Sequence, residues 1–238
     1  MTTDQGGGPA GGAAGAEPEL FSVTGSHHEY QGKVVSVRVD DVVMPGGSVA
    51  RREVVEHARA VAVVALDISR GEQENPDLVL LEQYRHPLRR RLWELPAGLM
   101  DVPGESPLAC AQRELAEEAG LAATDWDVLI DLAPSPGFSA ETIRVFVARG
   151  LSAVDRSEIR DEEADLRVIR LPLQWALQAV LDGSVVNAVA VAGVLAAAQV
   201  VQHAYRERSA DDGWTQGEAR INAGPTVGRA PALPGALD

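Results

Sequence analysis

One helix beside a glycine-rich turn most constrains how this chain folds. Residues 94–121 read ELPAGLMDVPGESPLACAQRELAEEAGL. Ser106 is a good N-cap, Pro107 suits the first helical position and Gly120 suits the C-cap, so a helix is predicted between them. At about 100° per residue, its apolar residues share one face that needs a partner in the core. These residues are Leu108, Ala111, Leu115 and Ala119.

Glutamates crowd the rest of this helix. Glu114 and Glu118 are one turn apart, Glu117 flanks them, and Arg113 is the one nearby cation. Like charges at i,i+4 destabilise an isolated helix by roughly 0.2–0.5 kcal/mol. A solvated charged face is one explanation. A bound divalent cation is the other, and it also explains the scarcity of lysine partners, because Mg²⁺ prefers several oxygen ligands.

Segments typical of strands surround this helix. Two Val-rich stretches at 33–44 and 48–57, separated by PGG, predict a hairpin, and the continuous apolar run at 59–68 predicts a buried central strand. Without regular alternation of strand and helix, a mixed sheet covered by helices is expected. Further strands are predicted at 77–85, 91–98, 126–134, 141–149 and 165–173, and helices at 173–183 and 185–208.

Composition narrows the classes of partner. The 238 residues carry a net charge of −14, which disfavours nucleic acid as a partner. The one cysteine, Cys110, allows no intramolecular disulfide and fits a reducing cytoplasm. The start has no signal-peptide pattern, and the most apolar stretch predicts a buried helix rather than a membrane span. Residues 1–18 and 209–238 have the composition of disordered tails.

The glutamate helix and its turn resemble the Nudix box. That pattern is a Gly, a Glu, seven residues, then Arg-Glu-apolar-x-Glu-Glu-x-Gly-apolar. Six residues, LMDVPG, separate the first Gly and Glu here, where the family usually has five. The added residue lies in a loop, where an insertion costs little, and leaves the helix register unchanged. The matching residues are Gly98, Glu105, Arg113, Glu114, Leu115, Glu117, Glu118, Gly120 and Leu121.

This resemblance implies a fold and a metal site. The expected fold is α+β, a Nudix α/β/α sandwich with a mixed sheet, preceded by a small N-terminal antiparallel β-sheet. Arg113 and Glu105 would form a structural ion pair. The implied ligands of Mg²⁺ or Mn²⁺ are Glu114, Glu118, more weakly Glu117, and the carbonyl oxygen of Ala97.

Four further motifs are similar to ADP-ribose pyrophosphatases within the Nudix hydrolases. They are LLEQYRHP, WELPAG, SPGFSAET and RDEEADLRV, and the resemblance extends from about residue 20 to 206. It implies that Arg51 or Arg52 reaches the substrate of a partner subunit, in a homodimer. The other substrate-binding residues it implies are Arg85, Leu99, Ser135, Gly137 and Glu141.

The same resemblance places the general base on the acidic segment RDEEADLRV. Alignment of the following strand favours Glu162, with Glu163 second. The position of a further metal-binding carboxylate, two residues past the base in this subfamily, holds Ala164 here, so this ligand is either missing or replaced by Asp165. A merely solvated loop is the other explanation of this acidity.

These observations predict a domain order and a function. Residues 19–58 would form a β dimerisation segment and 59–208 the Nudix hydrolase domain. The predicted reaction is metal-dependent hydrolysis of ADP-ribose, a small-molecule substrate, to AMP and ribose 5-phosphate. The alternatives are hydrolysis of another nucleoside diphosphate sugar, or a non-catalytic ADP-ribose sensor.

Overall fold

The computed structural model describes residues 21–72, 75–156, 165–203 and 207–214. The strands are β1 (Val23–Gln31), β2 (Val35–Val43), β3 (Val49–His57), β4 (Ala60–Glu72), β5 (Asn75–Arg85), β6 (Arg90–Glu94), β7 (Ala97–Leu99), β8 (Leu121–Ala122), β9 (Asp125–Leu132), β10 (Ile143–Arg149), β11 (Ser152–Ala153), β12 (Arg167–Pro172) and β13 (Arg208–Ser209). The helices are α1 (Pro107–Ala119), α2 (Leu173–Leu181) and α3 (Ala188–His203), with a 3-10 turn at His86–Leu88.

A mixed sheet forms the centre of the fold. Its strands follow the order β12-β5-β4-β10-β9-β13, with β7 added to β4 and β6 added to β5. β4 and β10 run parallel, whereas the other pairs are antiparallel. The mixed sheet is the one that the sequence predicts.

The central strand β4 is buried on both faces. Val61 and Val63 belong to the apolar layer that α1 covers, and Ala62 and Val64 belong to the layer that α2 and α3 cover. Alternate residues of a strand point to opposite faces, so an unbroken apolar run is what two covering layers require. The predicted α/β/α arrangement is thereby confirmed.

Helix α3 approaches the sheet closely at Gly193. A Cβ at this position would lie 2.7 Å from Leu95 Cδ1 and 3.1 Å from Val64 Cγ2. A larger residue would therefore push the helix away from β4 and open the core. None of the described helices, α3 included, combines the length and apolarity that a membrane crossing needs.

The N-terminal strands form a separate three-stranded antiparallel sheet in the order β1-β2-β3. The predicted hairpin of β2 and β3 is present, and Gly47 takes the left-handed conformation in its turn with a φ of 78°. Strand β1 was not predicted individually, because nearly all of its residues are exposed and no apolar alternation marks it. The sheet and its β1–β2 turn carry several exposed apolar residues, which are Val23, Tyr30, Val34 and Val49.

Residues 207–214 extend past position 208, where the sequence analysis ends the Nudix domain. β13 pairs with β9, and Arg144, paired with Asp131, donates to the carbonyl oxygens of Asp212 (2.6 Å) and Gly213 (3.0 Å). The Trp214 ring lies 4.8 Å from the Arg144 guanidinium, within cation–π range. The structure thus packs this short segment against β9 and β10. The rest of both predicted tails lies outside the described residues.

Candidate active site

Helix α1 begins and ends where its sequence predicts. Ser106 Oγ accepts the amide of Ala109 at 3.1 Å, and Gly120 has a φ of 65° and caps the last turn. Cys110 and Leu115 are fully buried under the sheet. These contacts orient the helix, so that Glu114 and Glu118 point toward the turn between β6 and α1.

The two carboxylates reach adjacent residues, Ala97 and Gly98, where that turn leads into β7. Glu118 Oε2 accepts the backbone N–H of Ala97 at 2.8 Å. A Cβ on Gly98 would lie 2.0 Å from Glu114 Oε1, so no other residue fits there while Glu114 keeps its place. Glu114 and Glu118 are themselves buried. Two buried carboxylates therefore converge on one backbone turn.

Arg113 compensates much of the negative charge around Glu114 and Glu118. It donates to both oxygens of Glu105 at 2.9 and 3.0 Å, to Glu114 at 2.6 Å and to Glu117 at 3.2 Å. Its hydrogen bonds hold the pKa of the Glu105 carboxyl below its ordinary value, and the hydrogen bonds to Glu105, together with the charge of Glu114, raise the pKa of Arg113. The ion pair of Arg113 and Glu105 thus joins the loop before α1 to the middle of the helix.

A second ion pair lies on the other side of the turn. Arg85 donates from Nε to Glu94 Oε1 at 2.9 Å and from Nη2 to Glu94 Oε2 at 2.6 Å. These hydrogen bonds raise the pKa of Arg85, and the charges of Glu118 and Glu141 act in the same direction. Arg85 therefore lies within electrostatic range of the carboxylates on α1 and of the loop before β10.

That loop, residues 135–141, is held by the N-terminal sheet. Val55 donates to the Phe138 carbonyl at 2.7 Å and accepts from the amide of Ala140 at 3.0 Å. Glu141 lies 3.8 Å from His57 Nδ1 at the end of β3. The described part of the N-terminal segment, residues 21–58, is therefore hydrogen-bonded to the loop that carries the predicted substrate residues Ser135, Gly137 and Glu141.

Comparison with known proteins assigns the family. The sequence profile of the NUDIX domain matches residues 56–184. The chain belongs to the Nudix family. The predicted family is therefore confirmed, and the matched range contains β4 to α2 with α1 and its turn.

Several relatives share most of their length with this Nudix protein. It is 46% identical to the ADP-ribose pyrophosphatase of Mycobacterium tuberculosis over 194 residues, which cover 82% of this chain and 91% of that one. It is 35% identical to the ADP-ribose pyrophosphatase of Bacillus subtilis, covering 67% and 82%. It is 39% identical to the methanol dehydrogenase activator of Bacillus methanolicus, covering 69% and 85%.

A solved structure supports the fold alone. The crystal structure of an ADP compounds hydrolase superposes with a TM-score of 0.66 at 22% identity, covering 77% of this chain and 95% of that one. At this identity the likeness concerns the arrangement of strands and helices. It agrees with the mixed sheet and its covering helices described above.

Two of the predicted metal ligands of this Nudix protein, Glu114 and Glu118, lie together beside Ala97. Within the described ranges, no group of three His, Cys, Asp or Glu side chains is already arranged around one point. Glu117 accepts a hydrogen bond from Arg113 Nη1, the nitrogen that also donates to Glu114. The donor set nevertheless fits a hard cation, since two buried carboxylates meet at the turn that carries the Ala97 carbonyl.

The predicted substrate residues fall into two groups. Arg85 and Glu141 lie close to the carboxylate cluster, and Ser135 and Gly137 lie on the loop held by Val55. Leu99 pairs with Ala60 in the sheet, next to the turn, and its carbonyl accepts from Cys110 Sγ at 3.5 Å.

Arg51 and Arg52 form the second group. Both are exposed on β3, where Arg51 lies 3.7 Å from Asp41 and Arg52 donates to the Arg51 carbonyl. They precede Val55 by three and four residues, or roughly 10–13 Å along a strand. The described contacts therefore do not bring Arg51 and Arg52 to the carboxylate cluster on α1.

The general base is predicted on a segment that begins outside the described residues. Glu162, Glu163 and Ala164 lie outside the described residues. Asp165, which follows them, is exposed and pairs with Arg91 of β6. The candidate substitute for a metal ligand is therefore engaged with an arginine.

Glu94 is the residue that the sequence analysis did not assign to the site. The sequence shows Glu94 directly before Leu95 and Pro96, in the motif WELPAG. Nothing in the strand pattern shows that its carboxylate meets Arg85, since that contact depends on the pairing of β5 with β6.

The single cysteine behaves as a packing residue. Cys110 is fully buried against the sheet, and burial raises the pKa of its thiol to about 12. Because the thiolate is the reactive form, this thiol is a poor nucleophile near neutral pH.

Proposed function

We propose that this Nudix protein hydrolyses the pyrophosphate bond of ADP-ribose, giving AMP and ribose 5-phosphate. The observation that carries the proposal is the meeting of Glu114, Glu118 and Arg85 around one turn. Relatives from Mycobacterium tuberculosis and Bacillus subtilis, 46% and 35% identical, bear the name ADP-ribose pyrophosphatase. A reducing cytoplasm, in which the thiol of Cys110 stays reduced, is the proposed location.

The residues present suit a divalent cation, Mg²⁺ or Mn²⁺. Glu114, Glu118 and the carbonyl oxygen of Ala97 would hold it, with Glu117 as the weaker candidate. When bound, the ion neutralises phosphate oxygens and activates a water molecule. Such compensation matters because the protein carries a net charge of −14 and its substrate is an anion.

The other groups divide the remaining tasks. Arg85 binds pyrophosphate oxygens with a charge-assisted hydrogen bond. Glu141 and the loop with Ser135 and Gly137 offer polar groups to the ribose hydroxyls. Glu162, or Glu163 as second choice, accepts the proton of the attacking water while the water oxygen bonds to phosphorus and the bridging P–O bond breaks.

A substrate panel with Mg²⁺, with products identified by mass, tests this proposal. We expect kcat/KM for ADP-ribose to be at least about ten times that for ADP-glucose or GDP-mannose, a gap of about 1.4 kcal/mol. Nucleoside triphosphates should be poor substrates because they lack the terminal ribose. Preference for GDP-mannose or a triphosphate would overturn the substrate while leaving Nudix chemistry in place. Binding of ADP-ribose without turnover would favour a sensor.

We also propose a homodimer built through the N-terminal sheet. The sheet has three strands and exposes Val23, Tyr30, Val34 and Val49. Association of two such sheets would cover these residues and carry the exposed Arg51 and Arg52 toward the partner's site. There one of them would stack on the adenine.

Mixing two inactive variants tests this exchange. We expect Glu118→Gln and the double variant Arg51→Ala/Arg52→Ala to be weak alone, and to regain activity after unfolding and refolding together. In each mixed dimer, one site then combines an intact helix with intact arginines, so about a quarter of all sites recover.

The controls separate exchange from simple refolding. Each variant refolded alone should stay weak, and light scattering should give the mass of a dimer. If the arginines served their own subunit, every mixed site would keep one defect and no activity would return. A fully active monomer would contradict the dimer itself.

A further inference from the structure

The ion pair of Arg85 and Glu94 joins a buried group to an exposed one. Only 4% of the Glu94 side chain is accessible, against 44% of the Arg85 side chain. Arg85 ends β5 and Glu94 ends the antiparallel strand β6, where Glu94 pairs with Leu81 and Arg85 pairs with Arg90. The long side chain of Arg85 therefore runs back along the sheet to reach Glu94. Glu94 is thus enclosed by protein while the guanidinium of Arg85 extends toward the site.

The ion pair with Glu94 uses one edge of the Arg85 guanidinium, and the other edge makes no contact with Glu94. Nε and Nη2 donate to the two oxygens of Glu94 in a fork-to-fork arrangement. A guanidinium has five N–H donors in a fixed plane, so the two on Nη1 and the second on Nη2 point away from Glu94. These are the donors that remain for an anion.

Other carboxylates compete for the same cation. Glu118 and Glu141 both raise the pKa of Arg85 through their charges. A guanidinium released from Glu94 would be attracted toward Glu118, where a cation is proposed to bind, or toward Glu141. The bidentate contact with Glu94 opposes both movements.

We propose that Glu94 is a positioning residue, which holds Arg85 by one edge so that its free edge faces the pyrophosphate of the substrate. The inference rests on the proposed function for the identity of that ligand. Glu94 itself touches no reacting atom. Its effect should therefore be transmitted through Arg85 alone, which a double-mutant cycle can measure.

The cycle comprises wild type, Glu94→Gln, Arg85→Ala and the double variant. Its main readout is calorimetric binding of ADP with Mg²⁺, because ADP carries the pyrophosphate and does not require turnover. We expect Glu94→Gln to weaken ADP binding about tenfold to a hundredfold, the range for a misplaced binding group. In the Arg85→Ala background the same change should have little further effect.

Kinetics on the best wild-type substrate supply the second readout. Glu94→Gln should raise KM more than it lowers kcat, because Arg85 binds the pyrophosphate in the ground state as well. Glu82→Gln is the matched control. Glu82 lies on β5 as well, and its ion pair with Arg167 faces β12 rather than the site. This control should leave KM unchanged.

A milder variant covers the case in which Glu94→Gln fails to fold. Glu94→Asp keeps the charge but shortens the side chain by one methylene, which draws the guanidinium back. Glu94→Asp should raise KM, and it should change the melting temperature less than Glu94→Gln does. Equal losses from Glu94→Gln with and without Arg85, or unchanged binding in both Glu94 variants, would overturn the positioning role.

The outcomes also separate this inference from the proposed function. Failure of the wild type to cleave ADP-ribose would reject the substrate, whereas the ADP-binding cycle would still report on Glu94. Cleavage of ADP-ribose with additive effects of the two residues would keep the function and reject the positioning role.

Discussion

Glu118→Gln is expected to lower turnover at least about a hundredfold while the fold survives, because it removes one charge from the proposed cation site. Gln has nearly the same size as Glu and is also a good helix former. Its oxygen can still accept the N–H of Ala97, which Glu118 accepts at 2.8 Å. The turn should therefore persist, and steady-state kinetics over a Mg²⁺ titration measure the loss.

Glu117→Gln is the matched control for this variant on the same helix. Glu117 is bonded to Arg113 and is less buried than Glu118. Its loss should cost much less activity, and circular dichroism should show both variants folded. A Glu118→Gln variant with near wild-type turnover at saturating Mg²⁺ would reject the metal site at this position.

Glu162→Gln is expected to lower kcat by roughly 10²–10⁴ with little change in KM, the usual effect of removing a general base. A base must be unprotonated to work, so wild-type kcat should fall as the pH is lowered through the pKa of that carboxyl. The variant should lack this acidic limb. A pH–rate profile of both proteins measures the difference.

Glu163→Gln is the neighbouring control. It has the same chemistry and a position one residue later in the acidic segment. If Glu163→Gln is the crippled variant, the alignment of the segment is displaced by one residue. If both variants keep normal kcat, the base lies elsewhere in the chain.

Local signals account for the parts of the fold that the sequence predicts well. The cap residues Ser106 and Gly120 define α1 because they satisfy backbone groups within one turn. The apolar run of β4 identifies a strand with two covered faces. Strand β1 and the segment 207–214 lack such patterns. The placement of β1 depends on pairing with β2, the next strand in the chain, and that of 207–214 on pairing with β9, about eighty residues earlier.

The features of the site also divide into those that local spacing predicts and those that depend on packing. Glu114 and Glu118 could be identified because helical spacing is a local property that places them one turn apart. That Glu118 meets Ala97 and that Glu114 lies over Gly98 depends on how α1 packs on the sheet. Helical spacing identified Glu114 and Glu118 as candidates, and the packing of α1 on the sheet places both at one turn.

The sequence by itself determined the Nudix family, the ends of α1 and the candidates for metal binding, because each of these depends on residues that are close together in the chain. Only the tertiary structure decided that Glu94 holds Arg85 and that Val55 supports the loop 135–141. The first contact joins side chains whose residues are not partners in the register, since Glu94 pairs with Leu81 and Arg85 with Arg90, and the second joins residues about eighty positions apart. Such contacts arise from the packing of whole elements, which leaves no local pattern in the chain.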